Sequence, residues 1–217
     1  MDELISRLSR LDSCAVSDAL DKLGLKGAVT GIHRFSTERR IAGKVLTVTM
    51  GPAQGRPATT RHLCTTAIEA ANPGDVIVVE QRTGLDAACW GGNLALGAQL
   101  RGVAGVIVEG PARDIDDCRK IDFPVFARSH TSRTARGRIV EVATNEPITV
   151  GDVEVNPGDY VVADGSGVVF ITAVDIARVL EAAEAIVARE EAMAQALREG
   201  VPISQVMGAS YESMLKK

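Results

Sequence analysis

The chain is expected to fold as a layered α/β protein with a long C-terminal helix, and three observations lead there. In the middle, a glycine-rich turn, a helical stretch and a short apolar β-branched run succeed one another, as in a parallel βα unit. From Ile139 to Ile171, short β-branched runs alternate with tight turns, as an antiparallel sheet requires. Val174 to Glu199 is then Ala/Glu-rich, has one apolar face and stops at Gly200. The βα alternation does not persist for eight units and no GxGxxG follows the first strand, so neither an eightfold βα barrel nor a Rossmann fold is expected.

Taken in order, Leu4, Leu8 and Leu11 recur at helical spacing, and Asp12 or Ser13 can cap the next helix. Ser13 to Leu23 places Val16, Ala19, Leu20 and Leu23 on one face and ends at Gly24. Asp18, on its other face, reads as a solvated acid or as one pointing at a subunit boundary. Gly31 to Arg40 is a polar loop, Gly43 to Met50 an alternating strand, and Gly51 to Thr60 the most turn-rich stretch of the chain. Thr60 to Ala71 reads as a helix. The turn Asn72-Pro73-Gly74-Asp75 feeds a buried strand, Val76 to Val79, and a related turn, Asn156-Pro157-Gly158-Asp159, feeds Tyr160 to Ala163. Their flanks diverge, so the pair is no sequence repeat.

The central unit begins with Trp90-Gly91-Gly92-Asn93, a turn almost free of side chains. A helix from Leu94 to Arg101 is stopped by Gly102, and Val103 to Val108 reads as a strand buried on both faces. Glu109-Gly110-Pro111 is a breaker cluster expected to end that strand, and Arg113 and Asp114 come straight after it. Phe123 to Ala127 is another short strand, and Ile139 to Val150, Val153 to Val155, Tyr160 to Ala163 and Gly167 to Ile171 form the later set. On the last helix Ile176, Val179, Leu180, Ala183 and Val187 make the buried face. Residues 1–190 read as a single α/β domain. Residues 191–217 read as the helix end and a tail, with Val206, Met207, Tyr211 and Met214 available for packing on the domain or on a neighbouring subunit.

Composition narrows the function classes. A 217-residue chain that is 46% hydrophobic can build one well-cored domain. A net charge of −4, with no Lys/Arg block longer than Arg39-Arg40 or Lys216-Lys217, argues against nucleic acid as a partner, and seven aromatic residues leave no base-stacking platform. Met1 to Leu11 carries acids with Arg7 and Arg10 and lacks the apolar core of a signal peptide, and the apolar runs are too short for a membrane span. Cys14, Cys64, Cys89 and Cys118 never form a CxxC pair, which favours free thiols in a reducing cytoplasm over disulfides or zinc; His33, His62 and His130 are equally dispersed. The expected location is cytoplasmic.

Chemistry concentrates at two places. Main-chain N–H groups of Gly91, Gly92, Asn93 and Leu94 at a helix start can bind a small carboxylate; the competing reading is a plain strand-to-helix turn. Asp114, at a strand-to-loop junction, can hold one edge of a hard divalent ion whose shell is mostly water, as Mg²⁺ prefers. Arg113 beside it can bind a carboxylate or the developing oxyanion of a 2-oxo acid. The competing reading of that pair is a local salt bridge. Its position after a buried strand, facing the glycine turn, favours the first.

The span GGNLALGAQLRGVAGVIVEGPARD resembles the regulator of ribonuclease activity A family, in particular its aldolase branch, the 4-hydroxy-4-methyl-2-oxoglutarate / 4-carboxy-4-hydroxy-2-oxoadipate aldolases. The likeness extends through SCAVSDALDKLG, ANPGDVIVV, DFPVFAR and GDYVVADGSGVVFI, and so covers most of residues 11–190. It implies an α/β/β layered sandwich, assembled as trimers or dimers of trimers with the active site at a subunit boundary. It also implies class II pyruvate aldolase chemistry with Mg²⁺ or Mn²⁺ and no Schiff-base lysine.

The hallmark of that branch is an acid, twenty intervening residues, then Arg-Asp. Arg113 and Asp114 match its second half, and Gly92 stands where the acid belongs. Glu109, Asp86 or an acid from a neighbouring subunit are the candidates to replace it, whereas Asp116 and Asp117 read as solvated or capping, with a role on metal-bound water as the lesser alternative. The expected activity is cleavage of a 4-hydroxy-2-oxo acid to pyruvate plus a carbonyl compound, with oxaloacetate decarboxylation as a companion. Arg113 would be catalytic, Gly91, Gly92, Asn93, Leu94 and Arg113 would bind substrate, and Asp114 would bind metal. The alternatives are a non-catalytic oligomer that binds a ribonuclease or another protein, and a metal enzyme of the same fold running a different enolate reaction because Gly92 replaces the acid.

Overall fold

Strand β3 (Ile41–Pro52) is the spine of the molecule, because three different strands share its length. Its first residues pair antiparallel with β10 (Tyr160–Ala163), its middle pairs parallel with β4 (Val76–Glu80), and its end pairs antiparallel with β7 (Ile139–Thr144). From β4 the parallel series continues to β5 (Gly105–Ala112) and β6 (Val125–His130), with the short strand β2 (His33–Arg34) closing that edge antiparallel. On the other side β10 pairs with β11 (Val168–Ile171), and β11 with β1 (Ala28–Val29), both antiparallel. These make a nine-stranded sheet in the order β1-β11-β10-β3-β4-β5-β6-β2, with β7 branching from β3. A separate hairpin joins β8 (Ile148–Val150) and β9 (Val153–Val155). The computed structural model describes residues 2–57 and 61–208.

Burial divides the molecule into layers. One face of the parallel series, with Val79, Val106 and Val108, packs on α3 (Thr65–Ala70), α4 (Gly92–Leu100) and α5 (Ile115–Lys120) through Ile68, Ala95, Ala98 and Cys118. The opposite face, with Val76, Val78, Ile107 and Phe126, shares a second core with the β8–β9 hairpin and with Val161, Ala163, Val168 and Phe170. Both halves of the sheet contribute to that core, so the sheet folds over on itself. The outward residues of the antiparallel half, Tyr160, Val162, Val169 and Ile171, are covered by α1 (Glu3–Leu8), α2 (Ser13–Leu23) and the long α6 (Ile176–Arg198). Alternate residues of β10 therefore enter different cores, which the period-2 geometry of a strand demands. A layered α/β/β arrangement with a long C-terminal helix is what forms.

Local signals account for most element ends. Asp12 accepts from the Ala15 N–H at 2.8 Å, and Gly24 ends α2 in the left-handed region at φ 68°. The two NPGD turns are the same device: in each, the Asp carboxylate accepts from the Asn N–H at 2.8 Å and the Gly takes φ near 90° (93° and 87°). Gly200, at φ 89°, follows the end of α6.

Five expectations need correction. The helix expected from Thr60 starts only at Thr65, because Cys64 takes φ 64° and its N–H goes to the Glu141 carboxylate; Thr60 itself lies outside the described residues. Helix α4 starts two residues earlier than Leu94, so Gly92 and Asn93 belong to its first turn. Strand β5 starts at Gly105 rather than Val103 and runs through Glu109-Gly110-Pro111 instead of stopping there, absorbing the proline at an irregularity in its pairing with β6. The polar stretch 31–40 contributes β2. On α6 the buried face includes Ile186 where Val187 was expected, and Val187 packs only at its margin. Val206 ends a short helix, α7 (Ile203–Val206), while Tyr211 and Met214 lie outside the described residues.

Candidate active site

The glycine turn and the end of β5 lie side by side. Trp90 bridges Ala112 in parallel fashion, and the Arg113 N–H donates to the Trp90 carbonyl at 2.9 Å. Trp90 anchors this junction as one of the largest fully buried side chains, with its ring stacked on Phe123 at 6.1 Å. Its Nε1 is the buried side-chain polar atom left without a partner among the described residues. Gly91 is extended at φ −154°, and α4 begins at Gly92.

Asp114 has φ 56°, a strained left-handed value for a non-glycine residue. That twist lets its carbonyl accept from Asp117 and Cys118 at the start of α5 (3.1 and 3.0 Å) while its carboxylate turns back to α4. Asp114 Oδ2 accepts from the Gly92 N–H at 3.0 Å and from Arg113 Nε at 3.2 Å. The carboxylate thus meets the positive end of the α4 dipole as well as the guanidinium. The amides of Asn93 and Leu94 precede the first intrahelical bond, which Ala95 makes to Gly91 at 3.0 Å. Among the described residues these two remain open for an anion, whereas the Gly92 N–H, expected to bind substrate, is taken by Asp114.

The residues singled out in the sequence meet in one cavity of about 270 Å³. Gly91, Gly92, Asn93, Leu94, Arg113 and Asp114 line it, joined by His62, Cys89 and Arg136. Cys89 is no nucleophile there, since burial pushes its thiol up to about 12. Arg113 and Asp114 also border a second cleft, shared with Asp117 and His130.

Gly92 leaves a gap that a neighbouring acid borders. A Cβ at Gly92 would lie 3.3 Å from Asp117 Cβ, 3.4 Å from Asp114 Cβ and 3.6 Å from Asp117 Oδ2. Asp114 and Asp117 line a cleft of about 320 Å³ beside Gly92. Asp117 is exposed, as expected of a solvated residue, and Lys120 holds its Oδ1 at 2.8 Å, but its Oδ2 faces the place where an acid at position 92 would begin. The two acids considered from this chain are committed elsewhere: Glu109 is buried against Arg128 at 2.9 Å, and Asp86 pairs with Arg133 at 3.4 Å. Sequence reading gave Asp117 a role on metal-bound water only as the lesser alternative to a solvated or capping residue. The signal available was its place three residues after Asp114, one turn into α5.

No group of three His, Cys, Asp or Glu side chains among the described residues converges into a metal cage. The donor set instead suits a hard, largely hydrated cation. Asp114 keeps Oδ1 free of hydrogen bonds among the described residues, and a second carboxylate, Asp117, stands across the Gly92 gap.

Comparison with known proteins places the chain in a family. Residues 13–170 match the family described as RraA-like, Aldolase/RraA. A Halalkalibacterium halodurans protein named "Putative 4-hydroxy-4-methyl-2-oxoglutarate aldolase" is 30% identical over 204 residues, covering 92% of this chain and 90% of that protein. Protein DlpA of Legionella pneumophila is 28% identical over 205 residues; the match takes in 94% of this chain, which spans a third of DlpA (33%). Among solved structures, an uncharacterized protein from Pseudomonas syringae superposes with a TM-score of 0.86 at 28% identity, covering 96% of this chain and 98% of that one. Streptomyces coelicolor RraAS2, described as an unusual member of the RNase ES inhibitor RraA protein family, gives 0.78 at 25% identity, with 88% and 95% covered. On the family match over most of its length, with the same architecture in its structural relatives, the chain belongs to the RraA-like family.

Proposed function

We propose that this chain is a metal-dependent class II pyruvate aldolase, a carbon–carbon lyase that cleaves a 4-hydroxy-2-oxo acid to pyruvate and a carbonyl compound. The observation that carries the reading is the single cavity in which a guanidinium, a carboxylate and open helix-start amides converge, with Gly92 N–H 3.0 Å from Asp114 Oδ2. The relatives named as aldolases support the reaction class.

Asp114, with Asp117 nearby, is the group to hold Mg²⁺ or Mn²⁺. A cation bound there supplies Lewis-acid stabilisation of negative charge. The substrate carboxylate sits on the Asn93 and Leu94 amides, where the helix start favours an anion. Arg113 holds the keto oxygen and stabilises the charge that gathers on it as the C3–C4 bond breaks. Asp117 Oδ2, beside the Gly92 gap, orients the water that takes up the C4 hydroxyl proton as the bond breaks and returns a proton to C3 of the pyruvate half. Loss of CO₂ from oxaloacetate generates the same enolate charge, so decarboxylation accompanies cleavage. The active assembly is a trimer or a dimer of trimers.

The test is pyruvate release from a panel of 2-oxo acids by chelator-stripped protein, with Mg²⁺ or Mn²⁺ titrated back. Arg113→Ala should lower turnover by about 10²- to 10³-fold, and Asp114→Ala should abolish the metal response together with activity. Full turnover by the Arg113 variant, or no release from any 2-oxo acid, overturns the reading. The likeness to RraAS2 favours one alternative, a regulator that binds a ribonuclease. Capture of a ribonuclease by a protein inactive on every 2-oxo acid would establish that one instead.

A further inference from the structure

The cavity holds a second cation that the reaction above does not use. Arg136 lines it together with Arg113, whereas Asp114 is the only carboxylate on its wall among the described residues. Neighbouring arginines are engaged: Arg128 with Glu109, Arg133 with Asp86, Arg119 with Asp116, and Arg138 with the Thr134 carbonyl. Among the described residues the Arg136 guanidinium has no such partner; only its backbone N–H is bonded, to Thr134 Oγ1 at 3.3 Å.

The turn that carries Arg136 is fastened to the segment leading into the glycine turn. Ala88 bridges Thr134, and the Ala88 N–H donates to the Arg133 carbonyl at 3.0 Å. The far side of the turn is closed by Arg138 and Ile139 N–H groups donating to the Ala135 carbonyl at 2.8 and 3.0 Å. The backbone position of Arg136 relative to Gly91–Leu94 is therefore held from both ends. An unpaired guanidinium on a fixed turn can bind a carboxylate through two parallel hydrogen bonds.

We infer that Arg136 is a specificity-determining residue: it binds a second carboxylate, carried on the half of the substrate that leaves as the carbonyl compound. This rests on the aldolase reading and adds to it the residue that selects the leaving half. Arg113 and the helix-start amides hold the half that becomes pyruvate. Arg136 discriminates between leaving halves that bear a carboxylate and those that bear an alkyl group. Binding energy from this remote anion then orients the C3–C4 bond for cleavage.

The experiment compares two substrates that differ by one group at C4, 4-hydroxy-4-methyl-2-oxoglutarate and 4-hydroxy-4-methyl-2-oxopentanoate, with metal-loaded protein and pyruvate release as readout. The unaltered protein should prefer the diacid. Arg136→Gln should lower kcat/KM for the diacid by about 10- to 100-fold, leave that for the monoacid within about twofold, and so erase the preference. Arg136→Lys should restore part of it. Because Arg136 is exposed, its loss should leave the thermal melt unchanged. Equal losses on both substrates, or an unaltered preference in the Gln variant, overturn the role of Arg136 while the aldolase reading stands. Failure of the unaltered protein to release pyruvate from either substrate overturns that reading, and this one with it.

Discussion

At Gly91 a single methyl decides whether the site can form. A Cβ there would lie 2.7 Å from Asp114 Oδ2 and 3.3 Å from Arg113 Cγ, so Gly91→Ala should push the carboxylate off the Gly92 amide. Both neighbours are side chains, and the backbone at Gly91 is extended, so stability should hold while activity falls. A melting curve beside a pyruvate-release assay separates the two. Gly92 poses a different question, because the nearest contacts of an added Cβ are at 3.3–3.6 Å and a side chain needs only small adjustment. If Asp117 supplies the proton handling of the absent acid, Asp117→Asn should cost about 10²-fold in kcat, and adding Gly92→Asp to that variant should recover much of the loss. Unchanged turnover in Asp117→Asn would leave Asp117 as a partner of Lys120 and nothing more. Arg113 and Asp114 could be read from their adjacency after an apolar run. Asp117 could be read only as a lesser candidate, because its relation to Gly92 depends on how the start of α5 packs beside the start of α4.

At the scale of the element, the start of α2 is held by a distant acid. Asp164 Oδ2 accepts from the Ser13 N–H at 2.8 Å, and its Oδ1 accepts from the Ser13 hydroxyl at 2.7 Å and the Ser166 N–H at 2.9 Å. Burial by itself would raise this carboxyl. The hydrogen bonds from Ser13 and Ser166, aided by Arg40, outweigh burial and bring it below the usual Asp value. A carboxylate whose pKa is depressed on folding adds stability above its unfolded pKa, and that stability is lost as pH falls through the folded value. Asp164→Ala should therefore cost about 1–3 kcal/mol at neutral pH, and the gap should narrow below about pH 4. Urea titrations at pH 7 and at pH 3.5 would show it; a gap independent of pH would mean the loss is one of packing. The same scale explains why β5 outran its apparent stop. Glu109, Gly110 and Pro111 are poor strand residues locally, but Gln81 N–H donates to Glu109 O (3.1 Å) and Cys89 N–H to Pro111 O (3.2 Å), extending the backbone pairing.

At the scale of the molecule, the fold-over of the sheet places β10 and β11 opposite the parallel strands across one core. None of the described helices is long and apolar enough to cross a membrane. Several large apolar side chains stay outside the three cores: Leu96 and Leu100 on α4, and Leu197, Val201, Ile203 and Met207 at the C-terminal end. Exposed apolar surface is what an assembling protein buries against its neighbours. In the proposed trimer or hexamer, light scattering should give three or six times the 22.9 kDa chain mass. Ile203→Asp combined with Met207→Ser should lower that mass if the C-terminal end packs on a neighbouring subunit. An assembly unaffected by the pair would move the contact elsewhere.

Sequence by itself determined the α/β class, the bounds of α2, the paired NPGD turns, the antiparallel second half, the long last helix and the pairing of Arg113 with the glycine turn. Each of these is written in local periodicity, turn chemistry or a short motif, and local physics suffices to form it. Tertiary structure alone decided where α3 begins, that β5 continues through Pro111, which acid borders Gly92, and that Arg136 reaches the same cavity from a turn more than forty residues away. Those features depend on contacts between segments far apart in the chain. Burial and cross-strand hydrogen bonding override local preference in such places, and no window of neighbouring residues contains the information.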